Sequence, residues 1–196
     1  SSKQNIEEFI SIRNFIKELI LESDIIFNDR EVLNGKELDV YIPKLKIAFE
    51  HNGIYYHSDK FNTSKKYHLE KTINCSNKGI RLIQIFEDEW IKKKGLVKEK
   101  IKFILGKSGS ERIHARKCEI KSIDTKTKND FLEKYHFQGK DIGSPIRLGA
   151  FYNNELVAVM TFTHESIAKG SKREDEVWEL NRFCTKAEYR VPGIAS

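Results

Sequence analysis

The sequence has no long apolar run. Its 196 residues are 39% hydrophobic and 33% charged, and no apolar stretch approaches the roughly 20 residues needed to span a bilayer. The first residues, Ser1 to Gln4, are polar and lack the apolar core of a secretory signal. We therefore expect neither a membrane-spanning helix nor secretion.

Cysteine is also scarce. The three cysteines, Cys75, Cys118 and Cys184, are isolated, and none has the C-x-x-C spacing of a zinc site. Scattered thiols of this kind fit a reducing compartment, where they stay free. We expect a cytoplasmic protein.

The chain does have an excess of positive charge. Its 35 Lys and Arg residues outnumber its 29 Asp and Glu residues, which gives a formal net charge of +6 and a pI near 9.1. This charge favours association with a polyanion, and affinity that depends on phosphate contacts falls steeply with salt. Basic composition alone does not identify a partner. The length allows one large or two small domains.

The first half of the chain predicts helices alternating with strands. Apolar residues recur at steps of three and four, which predicts an amphipathic helix over residues 5–21. A second helix is predicted over residues 67–77, and the glycine stop signal at Gly79 ends it. A buried strand over 80–86 and a helix to Leu105 are predicted to follow.

Two carboxylates, two histidines and two tyrosines fall within the stretch GKELDVYIPKLKIAFEHNGIYYH, residues 35–57. Asp39 and Glu50 are eleven residues apart, and a hairpin with Pro43 in its connection would bring both side chains to one edge. The apolar run before Glu50 predicts a buried strand, and Gly53 permits a turn with positive φ. Such an edge is a candidate site for a divalent cation.

The two acids have a plainer interpretation as well. Asp39 can be an acid at a strand end and Glu50 a solvated strand residue. Carboxylates held a few ångströms apart repel by roughly 1 to 4 kcal/mol, so a fold that pairs them offsets the repulsion with a cation or a shared proton. Oxygen ligands of this type suit Mg²⁺. The crowding of polar groups around Glu50 favours the metal interpretation.

These residues resemble a nuclease family. A helix, a strand carrying Asp, a second strand ending in Glu and a following helix-strand pair are similar to the PD-(D/E)XK nuclease core, over about residues 5–105. The spacing of the key residues is closest to the very-short-patch-repair branch of that superfamily. The matching positions are Asp39, Pro43, Gly53, Tyr55, Tyr56 and His57. The resemblance implies a restriction-endonuclease-like mixed sheet flanked by helices, within the α/β class.

The resemblance also implies roles for single residues. Asp39 corresponds to the metal-binding aspartate and His57 to the general base, a role that suits an imidazole of pKa near 6.5. Glu50 and the peptide carbonyl of His51 correspond to the remaining metal ligands. Asn52 stands where many members have Lys and cannot carry its positive charge, so the activating group is expected to be His57, with His51 as the substitute.

Other residues of the first half have weaker assignments. Glu7 resembles a further acid found on the first helix of relatives, although Glu7 and its neighbour Glu8 can also be ordinary acids at a helix N-terminus. In short-patch relatives the aromatic pair, here Tyr55 and Tyr56, wedges into the base stack, whereas the alternative is packing under the loop. Basic residues from Lys65 to Arg81 suit contact with phosphates, or simply form a solvated helix face, and they include Lys65, Lys66, Lys71 and Lys78.

The missing zinc site separates this chain from the short-patch relatives. Without clustered cysteines, specificity for mismatch repair is in doubt, and the comparison favours the phage and intron homing endonucleases that resemble the same core. That comparison implies a bacterial or phage-infected cell.

The second half predicts a smaller α+β domain. A polar linker is expected over 107–110. The predicted elements are a strand over 116–123, a helix over 128–135, a hairpin of strands 146–152 and 155–163 turned at Asn153-Asn154, and a strand over 177–184. The predicted domains are therefore residues 1–106 and 111–196.

The end of the chain resembles a second family. Arg190, Gly193 and Ala195 have the R-x-x-G-x-A spacing of the acyl-CoA loop in GNAT acetyltransferases, and residues 111–196 resemble the front half of that fold. In that superfamily, backbone N–H groups of the loop hold the pyrophosphate of acetyl-CoA. The later parts of such a site are not in the sequence, so the chain is a fragment or the motif is accidental.

The sequence therefore predicts an enzyme, a Mg²⁺-dependent (or Mn²⁺-dependent) endonuclease that acts on double-stranded DNA. Asp39 and Glu50 would hold the metal and His57 would draw a proton from water. One alternative is a GNAT-like acyltransferase that uses acetyl-CoA and has an N-terminal DNA-binding module. Another is a DNA-binding module whose nuclease core has decayed.

Overall fold

The chain folds into two compact units, one up to Lys107 and the other from Ser108 onward. The computed structural model describes residues 2–53, 58–164 and 177–195. Side chains are described from Ile6 onward within the first helix and from Lys66 onward within the second.

The first unit is a mixed α/β arrangement of three helices and four strands within the described residues. Its elements are, in order, α1 (Ser2–Leu19), β1 (Ile26–Asp29), β2 (Leu38–Ile42), β3 (Ile47–Asn52), α2 (Ser58–Asn77), β4 (Arg81–Phe86) and α3 (Glu87–Ile104). The sheet has the order β1-β2-β3-β4. Its first two pairings are antiparallel, and β3 pairs with β4 in parallel because α2 carries the chain back between them.

The β2–β3 connection is the predicted hairpin around Pro43. Pro43 begins a single 3₁₀ turn, Pro43–Leu45, where its fixed φ is favourable and its missing N–H costs no hydrogen bond. Lys46 then adopts φ 51° and leads into β3. The register pairs Val40 with Phe49 and Ile42 with Ile47. This register determines which side chains of the two strands share a face.

The sheet is covered on both faces, which explains the nearly continuous burial of β3. Ile16 of α1 and Ile101 of α3 are fully buried, and these two helices pack against each other. On α2, Cys75 belongs to a cluster with Ala48 of β3. Alternate residues of β3 therefore contact different helical layers.

The second unit is an α+β arrangement. Its elements are β5 (Glu111–Arg112), β6 (Glu119–Ser122), α4 (Thr125–Tyr135), β7 (Ile146–Tyr152), β8 (Glu155–His164), β9 (Trp178–Thr185) and β10 (Tyr189–Arg190). β6 to β9 form an antiparallel sheet in chain order, and β5 pairs with β10 in parallel. α4 packs on one face of the larger sheet through Phe131 and Leu132.

The predicted hairpin of the second unit is confirmed. Asn153 and Asn154 have φ of 49° and 64°, the pair of positive values that a tight two-residue turn requires. The predicted strand over 116–123 is shorter, because a 3₁₀ turn at Ala115–Lys117 comes before β6. α4 begins earlier than predicted, since the Asp124 side chain caps it by accepting a hydrogen bond from the Thr127 backbone N–H.

The α/β class predicted from the sequence is confirmed. In the described part of the chain, no helix combines the length and apolar character that crossing a bilayer requires.

Candidate functional site

Asp39 and Glu50 lie on the same face of the sheet. Tyr41 pairs with Ala48 across β2 and β3. Side chains alternate along a strand, so Asp39 shares the face of Tyr41 and Glu50 shares the face of Ala48. Burial raises the pKa of Glu50, and the charge of the nearby Asp39 raises it further. The sequence predicted this juxtaposition from an eleven-residue interval, and the hairpin register produces it.

Asp39 is held by the backbone of the neighbouring strand. Its Oδ2 accepts a hydrogen bond of 2.8 Å from the backbone N–H of His51. Burial raises the pKa of Asp39, while the His51 hydrogen bond and the charge of Lys71 act in the opposite direction. The carboxylate is therefore oriented by the sheet itself.

Glu50 is a buried acid paired with a buried lysine. Glu50 is 8% exposed and Lys71 of α2 is 2% exposed. Lys71 Nζ donates a hydrogen bond to Glu50 Oε1, whereas Oε2 is buried and has no hydrogen-bond partner among the described residues. Burial, and then the charge of Asp39, raise the pKa of Glu50 to about 7 against the opposing effect of Lys71. Within the part of the chain that the structure describes, Glu50 Oε2 is therefore an acceptor without a donor.

Lys71 was not predicted to lie beside the two acids. From the sequence it belongs to a set of basic residues that either contact phosphates or form a solvated helix face. In the structure Lys71 lies one turn before Cys75, which is fully buried against the sheet. Residues four apart on a helix share a face, so the helical period that aligns Lys71 with Cys75 is the signal that could have identified it.

Asn52 belongs to a buried polar network. Asn52 is 5% exposed, and its Nδ2 donates to Gln84 Oε1 at 3.3 Å. Gln84 Nε2 in turn donates to Thr72 Oγ1 of α2 at 2.9 Å. The Asn52 side chain thus links β3 to β4 and α2. The lysine that contacts Glu50 is Lys71 of α2.

The imidazole of His51 does not join the carboxylates. His51 is on the opposite face of β3 from Glu50, with its Nε2 3.6 Å from Glu8 Oε2 of α1 and its ring 6.3 Å from that of Phe9. Its side chain is 3% exposed, and burial lowers its pKa. The prediction of His51 as a substitute base beside the metal therefore disagrees with the placement of its side chain.

Glu8, and not Glu7, is the acid of α1 that faces the sheet. Glu7 is exposed, whereas the Glu8 side chain is 11% exposed beside His51. The helical period turns these two neighbours by about 100°, which places them in different environments. The choice of Glu7 from the sequence is corrected on this point.

Arg13 supports the strand that carries Asp39. Its guanidinium lies 3.9 Å from the centroid of the Phe9 ring and 4.8 Å from that of Phe27. It donates a hydrogen bond of 3.1 Å to the Asp39 backbone carbonyl and another to Asn28 Oδ1. These contacts connect α1, β1 and β2 behind the candidate site.

Several predicted site residues fall outside this description. Tyr55, Tyr56 and His57 lie outside the described residues, as does the side chain of Lys65. Lys66 is exposed on α2. The predicted convergence of His57 with Asp39 therefore stays a prediction.

The carboxylates fit a hard divalent cation of the Mg²⁺ type. Among the described residues, no group of three or more His, Cys, Asp or Glu side chains is arranged to hold a metal. Mg²⁺ commonly uses only one or two protein carboxylates and completes its octahedron with water and phosphate oxygens. Asp39 and Glu50, whose Oε2 has no hydrogen-bond partner within the described ranges, are the two carboxylates that could act as such ligands.

The end of the second unit contains the predicted acyl-CoA motif. Arg190 lies in β10, where its backbone carbonyl accepts a 2.8 Å hydrogen bond from the Ile113 N–H. Gly193 has φ 85°, and Ala195 is exposed in the turn that follows Val191. The motif residues thus lie in a short strand and a turn, and their role in binding acetyl-CoA stays a prediction.

The second unit also contains a buried ionic cluster that the sequence did not predict. Asp141 is 6% exposed, and its carboxylate accepts hydrogen bonds from Lys128, Ser144, Thr161 and Asn181. We call these five residues the Asp141 cluster. It connects the loop before β7 to α4, β8 and β9.

Comparison with protein-family models, curated proteins and solved structures finds no match to this chain. Its function is therefore inferred from the residues of the site.

Proposed function

We propose that the chain is a metal-dependent DNA endonuclease of the PD-(D/E)XK type. The observation that supports this most directly is the placement of Asp39 and Glu50 on one face, with a buried lysine beside Glu50 and one Glu50 oxygen that has no hydrogen-bond partner among the described residues. A fold offsets the repulsion of two interacting acids with cations or a shared proton, and Lys71 supplies a single positive charge for the two carboxylates. The net charge of +6 favours a polyanionic substrate such as double-stranded DNA.

Each residue has a distinct part in this proposal. Asp39, oriented by the His51 backbone N–H, and Glu50, through Oε2, would hold the divalent cation. The chemistry that such a cation would supply is polarisation of the scissile phosphate and a lower pKa of water. His57 is the proposed base, whose neutral imidazole nitrogen takes the proton of the attacking water. Lys71 supplies the positive charge that Asn52 lacks.

The acyltransferase alternative rests on the spacing of Arg190, Gly193 and Ala195 and on the resemblance of residues 111–196 to the front half of the GNAT fold. No contact of the described residues favours it over the endonuclease, so we do not advance it as a second function.

Incubation of the full chain with supercoiled and linear DNA, with Mg²⁺ or Mn²⁺ and with EDTA, tests the proposal. We expect metal-dependent cleavage that Asp39→Asn abolishes, because the carboxylate that holds the metal is lost. His57→Ala should slow cleavage by about 10²-fold to 10⁴-fold, the usual contribution of a general base.

The matched control is Glu22→Gln. Glu22 is an exposed acid paired with Lys17 at 2.8 Å, and its replacement makes the same change of charge away from the sheet. Glu22→Gln should leave cleavage unchanged, and thermal melting of each variant checks that it is folded. Cleavage by Asp39→Asn at the wild-type rate would refute the proposal.

A further inference from the structure

The Glu50–Lys71 ion pair is enclosed in the fold. The side chains of Glu50 and Lys71 are 10% and 2% exposed. Removing two charges from water is costly, and such a pair often stabilises no better than an apolar pair of the same volume. Stability alone is therefore a weak reason for a lysine at position 71.

Lys71 lies beside a pair of carboxylates. Its ammonium contacts Glu50, and the hairpin register places Asp39 on the same face of the sheet as Glu50. Its ammonium occupies only Oε1 of Glu50, and the buried Oε2 has no hydrogen-bond partner among the described residues. A second cation bound at Oε2 would therefore leave the Lys71 contact in place, but it would bind against the repulsion of a fixed positive charge.

We propose that Lys71 is a built-in counter-cation that holds the two acids together before metal binds and limits how tightly a divalent ion is held. This inference rests on the proposed function only in taking Asp39 and Glu50 as the metal ligands. A neutral side chain at position 71 should therefore tighten metal binding. The same substitution removes a stabilising contact from the metal-free protein.

The physical reason is the repulsion between like charges in a partly buried site. An ammonium within about 5 Å of a divalent ion, at an effective dielectric of about 20, disfavours binding by tenfold or more. Weak binding of this kind leaves the affinity dependent on a further ligand, such as a phosphate oxygen of the substrate. Lys71 would thereby couple metal binding to DNA binding.

The test compares the full-length wild-type chain with Lys71→Gln, which keeps a hydrogen-bond donor for Glu50 but removes the charge. Lys44→Gln is the matched control, because Lys44 is an exposed lysine that also pairs with an acid, Asp24. The probe is Mn²⁺ alone, titrated at pH 8.5 by calorimetry, with thermal melting followed at each metal concentration.

We expect Lys71→Gln to bind Mn²⁺ about tenfold or more tightly than the wild type, and Lys44→Gln to bind as the wild type does. Without metal, Lys71→Gln should melt at a lower temperature than the wild type. Saturating Mn²⁺ should reduce that difference, since the ion replaces the missing charge. A variant that folds only when Mn²⁺ is added would support the proposal in the same way.

Lys71→Gln that binds Mn²⁺ no more tightly than the wild type would overturn the inference, and so would a variant that stays unfolded at saturating Mn²⁺. Metal-dependent cleavage by the wild type, lost in Asp39→Asn, would then still support the endonuclease. If neither the wild type nor Lys71→Gln binds Mn²⁺, the proposed metal ligands and the inference both fail.

Discussion

Lys128→Met removes the only ammonium that contacts Asp141 within the Asp141 cluster. Lys128 is 2% exposed and donates to both the carboxylate and the backbone carbonyl of Asp141, the latter at 3.1 Å. Methionine has a similar length and apolar character, so the change leaves the volume nearly constant and strands a buried carboxylate. Breaking a buried ion pair from one side costs about 3–5 kcal/mol. Three hydrogen bonds from Ser144, Thr161 and Asn181 remain, so we expect a loss near the lower limit, about 3 kcal/mol.

The assay is urea denaturation of the full chain, with hydrogen exchange read separately on peptides from each unit. Hydrogen exchange is measured on each unit because the two units need not unfold in one transition. The matched control is Lys126→Met on the same helix. Lys126 pairs with Asp130 at 2.9 Å, but their side chains are 88% and 68% exposed. Water and salt screen an exposed pair of this type, so the control should be nearly neutral.

If Lys128→Met and Lys126→Met change the unfolding free energy of the second unit by the same small amount, the buried Lys128–Asp141 pair does not stabilise that unit as we expect. A loss of protection in peptides of the first unit would also contradict this expectation. A double variant, Lys128→Met with Asp141→Leu, should recover part of the lost stability, because it no longer leaves a buried charge unpaired.

Two more predictions concern the second unit. Burial alone would raise the pKa of Asp141, but hydrogen bonds from Lys128, Ser144 and Thr161 lower it from 3.8 to about 2. A depressed pKa stabilises the fold above pH 3.8, so about 2 kcal/mol should be lost as the pH falls through 2, and acid titration of Asp141→Asn should lack this component. Gly149→Ala should destabilise the unit by about 1–3 kcal/mol in urea titrations, because a Cβ there would lie 2.8 Å from side-chain carbons of Ile123 and Leu156. Gly95→Ala is the control, because a Cβ at Gly95 would meet nothing within 4 Å, and it should not lower the free energy of unfolding. Equal losses of stability in the two variants would contradict the packing argument.

Local signals predicted most of the larger elements. The three- and four-residue apolar steps identified α1, although the observed Ser2–Leu19 begins and ends earlier than the predicted range. Pro43 marked the hairpin between β2 and β3, and Asn153-Asn154 marked the turn between β7 and β8. Each of these signals acts over a few residues, so it can be read without knowledge of distant contacts.

Short strands were missed for the opposite reason. β1 is four residues long and pairs with β2 across a loop, and β5 and β10 have two residues each, far apart in the sequence. Such strands exist because of their partners and carry little periodicity of their own.

The same distinction applies to the candidate site. The eleven-residue interval between Asp39 and Glu50 was sufficient to predict that both acids share an edge, since a hairpin of fixed register relates them directly. Lys71 is twenty-one residues beyond Glu50, and only the packing of α2 on the sheet makes it the partner of that acid. His51 and Glu7 were misplaced because one step along a strand or helix moves a side chain to another face.

The amino-acid sequence by itself determined the α/β class, the two acids on neighbouring strands and the excess of positive charge, since these depend on composition and on short-range periodicity. Tertiary structure alone decided that Lys71 neutralises Glu50, that His51 faces Glu8, and that Asp141 is surrounded by donors. The physical reason is that burial and charge pairing arise between residues distant in the chain, and they exist only once helices have packed on the sheets.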